Sequence, residues 1–336
     1  MNCIICSNES TDVIYKNYPG YVEGSFYDIY HCSKCNINFI DPNLIDTKIY
    51  DGIYSGNEHF GYHRYKKYVS IAKKEDDPLL IFTKIDSVYY TVAQYLKENN
   101  VKKILEIGSG YGYLTYALRK RGYEVLGTDI SRNAVETAQQ LFGGKFIASA
   151  ADELKNLLNE KYDLIIASEV IEHVKSPIEF VKNLAELLNN NGSLLLTTPN
   201  KDFSKRAKIW RTAHPPVHIS WLSYKSFEEI SKLLNLSCSK ISYAKYYPNH
   251  ENRFIKYIRQ GRELIEPSLI KKDGSLNEYW ERINYTPKWN KFDSSAKNLF
   301  RVFMHRVKPV RDLSNFLYNI FIERDITLGV VLRKNS

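Results

Sequence analysis

The spacing of apolar positions changes at about residue 100. Over 78–99 they recur every three or four residues (Leu80, Phe82, Ile85, Val88, Tyr89, Val92, Tyr95, Leu96), which predicts one amphipathic helix. Beyond Asn99 and Asn100, short apolar runs alternate with helical stretches, and 103–107, 124–128, 145–148, 162–167 and 193–198 read as strands. Apolar strands separated by helices predict an α/β fold with a parallel sheet covered on both faces. A helix follows, where Ser226 and Glu229 have capping-box spacing ahead of Ile230. A sixth strand is expected at 236–247. The run Ile-Thr-Leu-Gly-Val-Val-Leu at 326–332 reads as a seventh, because so apolar a segment needs a sheet to pair with. The expected layout is a small module at 1–42, a helical lead-in at 43–100, a core at 101–248, a mostly helical insertion at 249–325 and a last core strand at 326–336.

A length of 336 residues fits two domains, or one large domain with an appendage. With 43% hydrophobic and 25% charged residues the chain is too apolar to be disordered. Its longest apolar runs, such as Leu79 to Phe82, fall far short of the roughly 18 residues a membrane span needs. Met1-Asn2-Cys3 opens no basic-then-apolar stretch, so a cytoplasmic location is the expectation. The net charge of +9 is unevenly spread, with −4 over 1–200 and +13 over 201–336, where all four tryptophans also lie. Electrostatic arguments about partners therefore belong to the C-terminal part.

Five cysteines are present, four of them as Cys3-x-x-Cys6 and Cys32-x-x-Cys35. Two such pairs suit a tetrahedral zinc site, each short loop turning two thiolates toward one ion. Disulfides are disfavoured in a reducing compartment, and a redox function would need only one pair. The expectation is a structural zinc ribbon whose four ligands leave no open position for chemistry. Cys238, in apolar company, reads as a buried small hydrophobe.

The first core strand runs into Glu106-Ile107-Gly108-Ser109-Gly110-Tyr111-Gly112. Glycines there allow a tight strand-to-helix turn and close approach of a ligand to the backbone. The dinucleotide fingerprint wants a third glycine at the position held by Tyr113, which counts against NAD. Asp129, 21 residues beyond Gly108, is placed to accept both hydroxyls of a ribose. Glu106 near the turn favours a cationic ligand over a pyrophosphate. S-adenosylmethionine, with its ribose, ammonium and sulfonium, satisfies both conditions.

These residues, together with Gly127-Thr128-Asp129, Tyr162-Asp163-Leu164-Ile165-Ile166 and Leu195-Leu196-Thr197-Thr198-Pro199-Asn200, resemble the successive motifs of class I S-adenosylmethionine-dependent methyltransferases over about 80–248 and 326–334. The resemblance implies a Rossmann-like seven-stranded sheet with helices on both faces. It implies that Glu106, Gly108 and Gly110, with Ser109 and Gly112 of the same loop, surround the methionine portion. Asp129 would hold the ribose, and Ile130 and Asp152 would lie near the adenine.

After the fourth strand stands Glu169-Val170-Ile171-Glu172-His173. A helical turn there would put Glu169, Glu172 and His173 on one face, looking toward the transferred methyl. Two roles fit: His173 as general base oriented by a glutamate, or a divalent cation, Mg or Zn, shared with His218 that lowers an acceptor hydroxyl's pKa. A purely local structural role is the third reading. The run resembles that of the cation-dependent ubiquinone-biosynthetic O-methyltransferases and of the small-RNA 3′-terminal ribose methyltransferases. In His214-Pro215-Pro216-Val217-His218-Ile219-Ser220-Trp221, the His218-Ile219-Ser220 run leading into a helix resembles the acceptor-side motif of related enzymes, which favours His218 over His214, and Trp221 could stack on a sugar or base.

A four-cysteine ribbon ahead of such a domain resembles sugar-modifying methyltransferases of natural-product and surface-polysaccharide biosynthesis. The expected reaction is O-methylation of a nucleotide-linked or glycan-linked sugar, or a related small anionic acceptor. The alternatives are RNA ribose 2′-O-methylation through the basic, tryptophan-bearing insertion, and a non-catalytic ribbon that docks a partner. The intact glycine turn and Asp129 argue against the last.

Overall fold

The computed structural model describes residues 1–9, 11–44, 63–203, 213–246, 265, 267–279, 309 and 326–335. Its main body is a seven-stranded sheet built from β4 (Lys103–Ile107), β5 (Glu124–Asp129), β6 (Phe146–Ala148), β7 (Tyr162–Ser168), β8 (Leu188–Pro199), β10 (Leu236–Lys240) and β11 (Thr327–Lys334). The order is β10-β11-β8-β7-β4-β5-β6, with β4 to β8 parallel and β11 antiparallel to both its neighbours. The expected sixth strand is real but stops at Lys240.

Alternation along the strands gives the sheet two apolar faces. Leu164 and Ile166 of β7 pack under α1 (His63–Lys74), α2 (Pro78–Ile85), α3 (Ser87–Glu98) and α4 (Tyr113–Lys120), whereas Ile165 and Ala167 face the opposite core. That second face is covered by α7 (Pro177–Glu186), α8 (Tyr224–Leu233) and the cysteine-bearing N-terminus. Two shorter elements, α5 (Arg132–Phe142) and α6 (Leu154–Leu157), flank β6.

Two local expectations change. The single helix over 78–99 is divided at Asp86, which leaves helical geometry at φ −144 and whose carboxylate accepts from the Val88 N–H at 3.0 Å, so the residue that ends α2 also caps α3. The capping box is formed by Ser223 and Ser226 rather than by Ser226 and Glu229, so α8 begins at Tyr224, three residues earlier than a cap at Ser226 would place it. Ser226 is then free to donate its hydroxyl to the Cys35 carbonyl at 2.9 Å.

The N-terminal module is a second sheet of order β1-β2-β3-β9, from β1 (Asp12–Pro19), β2 (Phe26–Cys32), β3 (Ile37–Phe39) and β9 (Ser220–Trp221). Its fourth strand comes from the loop that follows β8, and Cys3, Cys32, Cys35, Ile37 and Phe39 share one core with the large sheet. Trp221 is accordingly 6% exposed inside this module and is not a stacking surface for a sugar or base. Cys238 is half-buried at the edge of the core.

Most of the expected insertion, with Trp280 and Trp289, lies outside the described residues, as do Trp210 of the core segment and 45–62 of the lead-in. Within the described part of 249–325, Ile270 bridges in parallel to Val22 of the ribbon and antiparallel to Leu276. Among the described residues no helix is long and apolar enough to cross a membrane.

Candidate active site

From β4 the chain builds β5 and β6 on one side, then returns to lay β7 and β8 on the other. Ligands of open α/β sheets bind where the order switches, at the carboxyl ends of the strands. The glycine turn after β4 and the 169–173 turn after β7 meet there and border a cavity of about 880 Å³. Gly108 takes φ +71, and a Cβ on it would stand 2.6 Å from Val170 Cγ2, so the close approach of the two turns requires glycine.

Asp129 ends β5 buried on the cavity wall. It accepts from the Gly110 N–H at 2.8 Å through Oδ2 and from the Ser131 N–H at 2.9 Å through Oδ1. A carboxylate offers about four lone-pair sites, so acceptor capacity remains. Burial raises its pKa. Glu106 also lines the cavity, takes a hydrogen bond from the Thr115 hydroxyl, and is pushed by burial up to about 7. Ser109 adds a buried hydroxyl without a hydrogen-bond partner. Ile130, 63% exposed, and Asp152, exposed, both line the cavity. Gly112 does not. It caps α4 at φ +75, and its missing Cβ leaves room for Phe146 and Ala138, so its place is in helix-to-strand packing.

The β7 turn departs from helical spacing. Glu169 adopts φ +56 and only 171–173 forms a single 3₁₀ turn, so Glu169, Glu172 and His173 do not share a helix face. Glu172, His173 and His218 converge instead, one donor atom from each lying within 4.8 Å of the others. Glu169 lines the cavity beside this group without belonging to it. Glu172 is 1% exposed and neither of its carboxylate oxygens has a hydrogen-bond partner; burial, then the neighbouring Glu169, raise its pKa well above the ordinary value. His173 Nδ1 lies 2.5 Å from the Val217 carbonyl, an acceptor, so the ring proton sits there and Nε2 keeps its lone pair, 3.9 Å from Glu172 Oε1. Burial lowers His173 to about 4 and His218 well below its usual value, which leaves both rings neutral near pH 7. The two rings meet edge to face at 4.7 Å. His214 is fully buried against Tyr18 of β1, away from the cavity.

At the other end of the chain the four cysteine donors also lie within 4.8 Å of one another, with Sγ to Sγ distances of 3.9 Å for Cys3–Cys35 and 3.8 Å for Cys6–Cys32. Ligands at the usual zinc–sulfur distance of about 2.3 Å form a tetrahedron with edges of about 3.8 Å, so the thiols already stand at ligand spacing. The Cys35 thiol beside Cys3 lowers the latter's pKa to about 5.

The sheet order, the glycine turn and the acid closing the second parallel strand define a doubly wound α/β protein of the nucleoside-binding class. Residues 83–240 match the model of a methyltransferase domain, and the chain carries a class I S-adenosylmethionine-dependent methyltransferase domain. Among curated proteins it is 29% identical over 161 residues to the ubiquinone biosynthesis O-methyltransferase of Histophilus somni (strain 2336), covering 43% of this chain and 66% of that protein. It is 26% identical over 198 residues to the protein of the same description from Pelagibacter ubique (strain HTCC1062), covering 51% and 80%. Among solved structures, the plantazolicin methyltransferase BpumL in complex with SAH aligns over 84% of this chain and 93% of its own at 16% identity and a TM-score of 0.42.

Several cavity residues escape sequence reasoning. Arg64, Tyr65 and Tyr68 of α1, Asp86, Tyr89 and Tyr246 also line the cavity. Tyr68 donates to Asp86 Oδ2 at 2.6 Å, and Tyr89 donates to the Tyr113 hydroxyl at 2.8 Å. The density of tyrosines over 44–75 was the available signal. Nothing local ties that segment to a crevice built 40 residues later.

Proposed function

We propose that the protein transfers the methyl group of S-adenosylmethionine to a hydroxyl of a nucleotide-linked or glycan-linked sugar, at a site that also takes a divalent cation. The observation that carries this reading is Glu172: a fully buried carboxyl group with both oxygens without a hydrogen-bond partner among the described residues, 3.9 Å from His173 Nε2 and beside the ring of His218. Such a group is costly unless a ligand completes it. One carboxylate and two imidazoles at ligand spacing, with space on the cavity side, are the donor set of an open metal site. When bound, the cation would lower the pKa of an acceptor hydroxyl, which favours transfer to oxygen. Magnesium and zinc both suit the donors.

S-adenosylmethionine, when bound, supplies the electrophilic methyl carbon. Asp129 accepts its ribose hydroxyls, Ile130 offers an apolar platform for the adenine with Asp152 at its edge, and the 108–110 turn with Glu106 and the unpartnered Ser109 hydroxyl receives the methionine portion. The residues thus fit the group. His173, at about 4, is too weak a base to take an acceptor proton efficiently near pH 7 and serves better as a ligand. Glu169, which burial holds at about 7 on the cavity wall, is suited to take that proton. Cys3, Cys6, Cys32 and Cys35 hold a structural zinc ion. Arg64, exposed on the cavity wall with a hydrogen bond at 3.4 Å to the Tyr65 hydroxyl, offers its charge to an anionic group on the acceptor.

A quinol-type phenol is the second reading, favoured by the description of the curated relatives. RNA ribose is a weaker third. Labelled methyl transfer to nucleotide sugars, glycans, catechols and short RNAs, with and without Mg²⁺, tests all three. Cation-dependent labelling of a nucleotide sugar is expected. Labelling of catechols alone moves the acceptor to the second reading, and salt-sensitive labelling of RNA to the third. A protein that fails to bind S-adenosylmethionine saturably would be a docking module.

A further inference from the structure

The ribbon is joined to the crevice by backbone contacts that a separate module would not need. β3 pairs with β9, Asn38 opposite Trp221 and Phe39 opposite Ser220. One residue outward the peptide of Ile219 is held from both sides: its N–H donates to the Glu172 carbonyl at 2.8 Å, and its carbonyl accepts from the Ile40 N–H of the ribbon at 3.0 Å. Farther along the same loop, Tyr21 of the ribbon donates to the Pro215 carbonyl at 2.6 Å, and Tyr18 packs its ring edge-on to His214 at 5.4 Å. The Val217 carbonyl, which fixes the tautomer of His173, and His218 itself lie between these two clamps. The cysteine end is tied in as well, through the Ser226 hydroxyl on the Cys35 carbonyl and Lys201 Nζ on Asn36 Oδ1 at 2.6 Å.

We infer that the ribbon is a positioning element for the acceptor-side donor set: metal bound by the four thiols fixes β3, β3 fixes the 214–221 loop, and the loop holds His218 and the Val217 carbonyl against Glu172 and His173. Binding at the thiol site and cation binding at the crevice are therefore coupled. Coupling between two sites requires an element whose arrangement both depend on, and here that element is the Ile219 peptide with its two hydrogen bonds. The glycine turn and Asp129 stand on β4 and β5, outside this chain of contacts, so the cofactor end is predicted to be independent of the ribbon. This inference rests on the proposed cation reading for one of its readouts only.

The test compares zinc-loaded full-length protein with the same protein after zinc removal by an organomercurial, and with Ile40→Pro, which deletes the ribbon's donor to Ile219 while leaving every thiol in place. Three quantities are read: Mn²⁺ affinity, chosen because manganese prefers the Glu/His donors to thiols; hydrogen exchange of the 214–221 amides; and S-adenosylhomocysteine affinity. Both perturbed forms should bind Mn²⁺ at least tenfold more weakly and exchange 214–221 at least tenfold faster, with S-adenosylhomocysteine affinity within twofold. Unchanged exchange and Mn²⁺ affinity in both forms would overturn the proposal. So would a parallel loss of S-adenosylhomocysteine binding, which marks general destabilisation. If zinc-loaded protein shows no saturable Mn²⁺ binding, the cation reading fails by itself, and the exchange data still decide whether the ribbon positions the loop.

Discussion

Two clusters in this chain have metal-ligand spacing, and they are built in opposite ways. The four sulfurs of the ribbon come from two Cys-x-x-Cys turns, close on one another from all sides, and leave no position for a substrate. Glu172, His173 and His218 supply three donors beside a large cavity whose wall His173 forms, and His218 comes from a loop 45 residues beyond His173. Closed four-ligand sets stabilise folds, whereas open three-ligand sets leave room for a reacting oxygen. The contrast extends to electrostatics. Among the ribbon thiols Cys35 lowers Cys3 to about 5 while Cys32 and Cys35 are themselves raised, so one thiolate is favoured and its neighbours keep their protons, whereas burial raises the Glu172 carboxyl well above its ordinary value. On the proposed reading the ribbon cluster serves stability, and the crevice cluster is a costly arrangement kept for chemistry.

Substitutions at the two clusters should separate these roles. The largest expected effect is that of Cys35→Ser, since structural zinc contributes folding free energy directly, on the order of 10 kcal/mol in small zinc domains. Zinc content should fall toward zero, with a clear drop in melting temperature measured alongside it. Full zinc retention would remove the ribbon from the closed-site class. Next comes Glu172→Gln. Glutamine matches the shape of the protonated carboxyl, so the melting temperature should stay within a few degrees or rise, while turnover falls about 10²-fold through loss of a charged ligand. A variant of undiminished rate would mean that Glu172 is structural, and the contrast between the clusters would collapse.

How much of each cluster can be read from sequence follows from the same difference. Cysteine pairs and the Gly108 to Asp129 spacing lie within single turns or one strand–helix–strand unit, so their geometry is local and survives folding intact. The crevice set is not local. Helical spacing misplaced Glu169, because its left-handed φ turns the chain before the 3₁₀ step that carries Glu172 and His173. His218 was a candidate by resemblance alone, and what brings it to Glu172 is the Ile219 peptide between two segments far apart in the chain. Arg64, Tyr68 and Asp86 were missed for the same reason. Asp86 shows the limit in miniature: periodicity runs through it unbroken, and only its side chain capping Val88 reveals that the helix is divided there.

The smallest effect probes the seam between the two regions. Ser226 is fully buried, closes the capping box with Ser223, and donates to the Cys35 carbonyl, so it ties helix α8 of the core to the second cysteine turn. Ser226→Ala removes one hydroxyl and leaves the Ser223 N–H and the Cys35 carbonyl short of a partner, at a cost of about 1–2 kcal/mol. Urea unfolding should show this as a lower midpoint at unchanged slope. Because neither Ser226 nor its partners touch the cavity, affinity for S-adenosylhomocysteine should not move. If the ribbon were an independently folding appendage, the same variant would shift only a separate early transition and leave the main one in place. A single shifted transition is expected instead, since Cys32, Cys35, Ile37 and Phe39 share their core with β4, β7 and β8.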